Sequence, residues 1–290
     1  MAEQDTDKGR LIAVTRDVSP RIVECELKHI ARAPIDVAVA RAQHRRYEAC
    51  LADLGCDLVR LPAEPDLPDS VFVEDAAIVL DEVAIITCPG AASRRAETAS
   101  IAGALRPYRD LRHVEPPGTV DGGDLLRSGR TLYVGLSGRT NEAGFDQIRA
   151  IVEPLGYRAK SVRVEGCLHL KSAVTEVAEG TLLVNPGWVD GGAFEGRRLI
   201  EVDPEETYGA NALRIGDVVV YPAAFPRTRR RIEDHGITVR VVDLAELAKA
   251  EGAVTCCSLI FHARRRAERR SRLLSSRAKR WRSAALALKP

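Results

Sequence analysis

Cys256, in GAVTCCSLIF, and His169, in GCLHLKS, are residues of the types that perform nucleophilic catalysis. A thiol attacks as its thiolate, which needs a cationic neighbour or a cationic bound substrate. A histidine titrating near neutral pH can protonate a leaving amine and then take a proton from water. Asp121 opens DGGD and is of the type that orients such a histidine. Asp69, Glu74 and Asp75, in LPDSVFVED, could cage a planar cation, with Phe72 as a wall or stacking ring. Each has a structural reading beside the chemical one: a buried cysteine, a core histidine among leucines, a glycine turn, acids at a strand edge. Cys257 follows Cys256 directly, and on a strand the two would face opposite sides, so one alone could serve an axial site.

Their placement in the chain connects them. Apolar runs with internal turns read as hairpins over 73–90, 120–136 (turn at Ser128-Gly129), 170–187 (turn at Glu179-Gly180) and 210–222 (turn at Gly216-Asp217). Strands 11–15 and 255–261 open and close the series. Glu74, Asp121, His169, Asn211 and Cys256 stand at equivalent points, separated by 47, 48, 42 and 45 residues. Helix-like stretches at 35–55, 93–108, 140–156, 227–236 and 243–252 lie between the hairpins. The unit is hairpin, helix, strand, about five times over. A helix in each unit excludes all-β propeller blades of similar period. The paired strands exclude a doubly wound sheet. Units closed in a ring would bring Asp121, His169 and Cys256 to one axis.

The chain is globular in composition, 45% hydrophobic and 29% charged. It has no run of eighteen apolar residues, so no membrane span is expected. Its polar start, MAEQDTDKGR, lacks the apolar stretch of a signal peptide. Seven irregularly spaced cysteines, with no Cys-x-x-Cys pair, argue against a disulfide framework or a structural zinc site and for a reducing cytoplasm. The net charge of +2 hides an asymmetry: residues 262–290 carry eleven Lys or Arg against one acid, so the other 261 residues sum to −8. An acidic body suits a cationic small substrate. The expected domain is 1–261, followed by a basic tail, 262–290, disordered or loosely helical. The tail lacks interleaved aromatics, so nucleic acid is not an expected partner.

The strings LPDSVFVED, DGGDLLRSGRTLYVGLSGRTN, LHLKS and VTCCSL, in that order over residues 10–261, resemble the dimethylarginine dimethylaminohydrolases. The resemblance implies the pentein fold, an α/β propeller of five blades. It implies a cytoplasmic hydrolase of linear amidine C–N bonds that turns Nω-methylated arginines into L-citrulline and a methylamine through a cysteine thiouronium. By motif, Cys256 is the nucleophile, His169 the acid and base, and Asp121 its support. Asp69 and Asp75 hold the guanidinium with Glu74 beside them. Arg94 and Arg139 grip the α-carboxylate, Ser172 lies close to the histidine, and Glu251 stands at the amino end, where the family has Asp. Residues 19–34 fall where the family has a lid, and no contact is assigned there. No cofactor is implied, and zinc at the Cys256–His169 pair would be adventitious and inhibitory. The chain would act as a monomer or homodimer. The alternatives are an arginine deiminase-like hydrolase, an amidinotransferase, and a non-catalytic pentein that binds a cation.

Overall fold

The structure, a computed structural model, describes residues 9–263. It consists of five three-stranded sheets arranged as blades. Each blade is an antiparallel pair whose inner partner runs parallel to a third strand. The second blade holds β3 (Ala77–Val79), β4 (Val83–Ile86) and β5 (Asp110–His113). The third holds β6 (Leu125–Ser128), β7 (Thr131–Leu136) and β8 (Arg158–Arg163). The fourth holds β9 (Val174–Ala178), β10 (Thr181–Val184) and β11 (Arg198–Glu201). The fifth holds β12 (Leu213–Ile215), β13 (Val218–Pro222) and β14 (Thr238–Val242). The first blade closes the ring with both ends of the chain: β15 (Leu259–His262) pairs antiparallel with β1 (Leu11–Arg16), which runs parallel to β2 (Asp57–Leu61). This last strand reaches His262, one residue past the expected domain edge. The basic tail beyond it lies outside the described residues.

A parallel pair needs a crossover, and helices supply it in four blades. They are α1 (Val37–Asp53), α2 (Thr98–Leu105), α3 (Glu142–Val152) and α5 (Pro226–Asp234). Asp36 caps α1 by accepting the Ala38 and Val39 amides at 2.9 and 3.0 Å. The fourth blade differs from the expected unit. Its glycine-rich crossover, NPGWVDGGAFEG, forms only a 3-10 turn, Gly191–Phe194. The short helices α4 (Leu170–Ala173) and α6 (Ala245–Ala248) complete the set, and α6 is much shorter than the stretch 243–252 suggests.

Period-two alternation on the central strands explains the ring. Ile12 and Val14 face a core shared with the second blade, while Ala13 faces one shared with the fifth. Ile85 points to the third blade, Ala84 and Ile86 to the first. Leu182 and Leu183, and likewise Val219 and Val220, divide in the same way. Each pair of neighbouring blades therefore shares one of five apolar clusters. Burying a Val, Leu or Ile contributes about 1.5–3 kcal/mol. No single blade could bury both of its faces alone.

Candidate active site

The hairpins are entered through short turns that face the axis. Glu74 and Asp75 lie in the 3-10 turn Val73–Ala76, and Asp121 precedes the 3-10 turn Gly122–Asp124. His169 precedes α4, Asn211 lies just before β12, and Cys256 sits in a turn before β15. The five equivalent positions converge as the spacing implies. They do so from turns of three or four residues, too short to leave a periodic signal.

His169 is buried. Its Nε2 lies 3.0 Å from Asp121 Oδ2, and its Nδ1 lies 3.8 Å from Asp75 Oδ1. Asp121 also accepts the Gly90 amide at 2.8 Å and Arg139 Nη1 at 3.3 Å. Asp75 accepts the Gly123 amide at 2.9 Å and pairs with Arg94. Gly123 allows this approach, because a Cβ there would stand 2.6 Å from His169 Nδ1. Burial opposes charge on the ring, yet Asp75, the hydrogen bond the ring donates to Asp121 and the nearby Asp124 outweigh it and raise the imidazole to about 9. Burial likewise opposes charge on Asp75, but His169 and Arg94 hold that carboxyl well below its usual range.

Asp124, the second acid of DGGD, was missed in the sequence. It accepts the Leu170 amide at 2.9 Å and the hydroxyls of Ser137 and Thr140 at 2.7 Å each. It thereby fixes the turn behind His169 and the loop that carries Arg139. Burial pushes it up to about 6. The legible signal was its place three residues after Asp121, where a short turn brings a second carboxylate beneath the first.

Cys256 is partly exposed, whereas Cys257 is fully buried at 0% and lies in the core. Both lie in one turn, 254–257, ahead of β15, so strand alternation does not set their different burial. Tyr47 of α1 braces this turn from behind through Val254 O (2.8 Å) and Ser258 Oγ (2.7 Å). Asn211 ties it to the histidine's blade, donating to Lys171 O at 2.9 Å and accepting the Thr255 amide at 3.1 Å. Burial, then Glu74 and Asp75, pushes the Cys256 thiol up to about 12. Both shifts favour the protonated forms, thiol and imidazolium.

No family model matches the chain. It is 42% identical over 248 residues to the N(G),N(G)-dimethylarginine dimethylaminohydrolase of Streptomyces coelicolor, across 85% of this chain and 95% of that one. It is 39% identical to the enzyme of the same name from Pseudomonas aeruginosa, over 78% of this chain and 90% of the relative. The solved structure of the Pseudomonas enzyme, a cysteine-to-serine mutant complexed with citrulline, superimposes with a TM-score of 0.82 at 37% identity, covering 86% of this chain and 98% of that one. The chain belongs to the dimethylarginine dimethylaminohydrolase family. The N-terminal domain of the arginine dihydrolase ArgZ shares the fold, with a TM-score of 0.77 at 18% identity over 88% of this chain and 99% of that domain.

The other positions that the resemblance to dimethylarginine dimethylaminohydrolases singles out divide into two groups. Asp69 is buried beside the axis and accepts the Glu26 amide at 3.1 Å; burial raises its carboxyl. Arg139 is buried with Nη1 on Asp121. Ser172 donates its amide to His169 O at 3.0 Å. Four more, Arg94, Glu74, Phe72 and Glu251, are engaged with other parts of the protein. All three nitrogens of the Arg94 guanidinium already donate, to Asp75, Glu97 and the carbonyls of Asp69 and Phe72. Glu74 pairs with Lys171 and accepts the Thr255 hydroxyl at 2.7 Å. The Phe72 ring packs against Gly252, where a Cβ would come within 2.1 Å of it. Glu251 accepts the Lys28 and His29 amides at 2.8 and 2.7 Å, so the segment expected as a lid is tied to the turn after α6.

Asp75, Asp121 and His169 place ligand atoms within 4.8 Å of one another. These atoms are already engaged with Arg94, Gly123, Gly90 and Arg139, and a protonated imidazole is no ligand. The trio fits a hydrogen-bonded proton-transfer group better than a metal cage. Among the described residues no helix is long and apolar enough to cross a membrane.

Proposed function

We propose that the chain hydrolyses Nω,Nω-dimethyl-L-arginine, and Nω-methyl-L-arginine, to L-citrulline and dimethylamine or methylamine. The observation that carries this reading is Asp75, a buried carboxylate paired with Arg94 and 3.8 Å from His169 Nδ1, in the turn whose Glu74 amide donates to Cys256 O at 3.1 Å. A guanidinium against Asp75 and Asp69 brings the positive charge that a thiol near 12 needs to ionise. Cys256 sulfur attacks the central carbon. His169 has Nε2 on Asp121, which leaves Nδ1 to protonate the departing amine. The thiouronium left on Cys256 takes a water whose proton returns to His169, and citrulline departs. Arg139 takes the α-carboxylate, and Arg94 acts chiefly by holding Asp75 and the 69–75 segment in place. No organic cofactor enters these steps. Zinc bound between Cys256 and His169 would occupy both reacting groups and inhibit. Seven free thiols fit a reducing cytoplasm.

The test is citrulline release from asymmetric dimethylarginine and from arginine, side by side, without added metal. Release from the methylated substrate that is abolished in Cys256→Ser supports the reading. Equal or faster release from arginine reassigns the chain as a deiminase. Undiminished turnover by Cys256→Ser sinks the mechanism.

A further inference from the structure

A cavity of about 240 Å³ adjoins the centre and has no part in the mechanism above. Its wall contains Leu168, directly before His169, and Ala253 and Val254, directly before Cys256. It therefore lies between the turn that carries the nucleophile and the turn that carries the proton donor. On the far side are Ala223, Phe225 and Ala248 of the fifth blade and its connection, and Ile30 of the tied-down segment lines it as well. Arg94 and Arg139 belong to the second and third blades, away from the fifth.

The cavity opens to solvent, and its volume is large enough for a small organic substituent. Small exposed residues, Ala223, Ala224, Ala245 and Ala248, form its rim, so larger side chains there would narrow it. Its lining is mostly apolar, so it offers little to a free guanidinium and suits hydrocarbon. A substrate held by its carboxylate near Arg139, with its guanidine carbon at Cys256, directs the leaving nitrogen toward His169. Neither His169 nor Cys256 lines the cavity; its wall reaches their neighbours Leu168 and Val254, so a substituent longer than methyl is what would extend into it.

We propose that this cavity is a leaving-group subsite that accepts an apolar substituent larger than methyl on the distal guanidine nitrogen. The substrate class then extends to Nω-alkyl- and Nω-aralkyl-arginines. This rests on the hydrolase reading above. The chemistry is unchanged: the Cys256 sulfur–carbon bond forms, the carbon–nitrogen bond to the substituted amine breaks, and that amine departs with the proton from His169. Water then supplies the carbonyl oxygen of citrulline. One methylene in an apolar pocket discriminates by roughly 10–200-fold, so filling the cavity should be read clearly in kcat/KM.

The experiment compares dimethylarginine, Nω-butylarginine and Nω-benzylarginine with the full-length protein and with Ala248→Phe; Ala223→Leu serves if the first variant does not fold. The expected result is turnover of the butyl and benzyl substrates by the wild type. In the filled variant their kcat/KM should drop at least about tenfold, while that for dimethylarginine changes less than about twofold. A wild type that turns over dimethylarginine but neither larger substrate overturns the subsite and leaves the hydrolase reading intact. Equal losses for all three substrates in both filled variants also overturn it. A wild type that releases no citrulline from any of them fails the hydrolase reading itself, and the subsite falls with it. In that case binding of Nω-benzylarginine, measured by calorimetry, would also be unaffected by Ala248→Phe.

Discussion

Two sides of the axial mouth are built from the same structural device and present opposite chemistry. In the second and third blades, the loop leaving the central strand carries Arg94 and Arg139. In the fourth and fifth, the equivalent loops carry Trp188, edge-on to Tyr208 at 5.0 Å, and Ala223 with Phe225. The charged side is interlocked: Arg94 with Asp75 and Glu97, Arg139 with Asp121, His169 between Asp121 and Asp75. The apolar side has room. A buried ionic network holds only while every member is paired, because losing one leaves its partner charged and desolvated. Apolar walls tolerate changes of size far better. The fold thus concentrates geometric strictness where protons and charge move, and leaves latitude where a substituent must fit.

The strongest way to break this contrast is Asp75→Ala. It removes the carboxylate shared by Arg94, His169 and the Gly123 amide. Citrulline formation should fall by roughly 10⁴-fold or more, since charge stabilisation and proton transfer fail together. Urea unfolding should show a loss of about 3–5 kcal/mol. A variant that keeps its activity would separate Asp75 from the chemistry.

His169→Gln comes next, with a rate loss of roughly 10²–10⁴-fold and a pH signature in stability. The folded imidazole titrates at about 9, above its ordinary 6.5. A raised pKa stabilises the fold fully below about 6.5, and that contribution disappears as pH rises through 9. Denaturant midpoints should therefore favour wild type over His169→Gln by up to about 3 kcal/mol at pH 6, converging near pH 10. A gap that stays constant with pH would contradict the charged ring.

Asp121→Asn should reduce kcat about 10²-fold. It should also move the basic limb of the kcat/KM profile down from about 9, because Asp121 helps to raise the histidine. On the apolar side, Phe225→Leu should leave that limb in place, cost less than about 1.5 kcal/mol, and spare dimethylarginine turnover. If Phe225→Leu moved the limb as far as Asp121→Asn does, the two sides would not be chemically separate.

The sequence made the ring readable and its inner turns obscure, for one physical reason. The hairpins β6–β7 and β9–β10 show as apolar runs around Ser128-Gly129 and Glu179-Gly180, where Gly129 and Gly180 take φ of +58° and +68°. The residues proposed to act sit one turn earlier, beside segments such as Gly122–Asp124 with no period to detect. Asp121, His169 and Cys256 were found because equal spacing predicts their meeting. Asp124, Asn211 and Tyr47 position those three through side chain–backbone bonds across 46, 44 and 207 residues, which no local pattern encodes. Arg94 and Glu74 have the right types and locations, yet pair with neighbours; competition among buried charges is settled only by three-dimensional distance.

The smallest effect tests where the two sides meet, at Glu251. This residue adopts φ +57°, a region costly for any side chain but glycine. It spends both carboxylate oxygens on the Lys28 and His29 amides. Strain of this kind persists only where the surroundings over-determine it. The compensation here is two charge-assisted hydrogen bonds that hold the covering segment over the apolar cavity. Glu251→Gln keeps one acceptor and loses the charge, so closure should weaken by about 1–2 kcal/mol. Amide exchange at Lys28 and His29 should then quicken roughly tenfold, while the chemistry at Cys256, read as single-turnover formation of citrulline, stays within about twofold of wild type. Glu251→Gly separates the two contributions: it relieves the backbone and removes both bonds. If exchange were no faster in Glu251→Gly, the carboxylate would not be the tie, and the segment would be held by Asp69 on the Glu26 amide at the charged side instead.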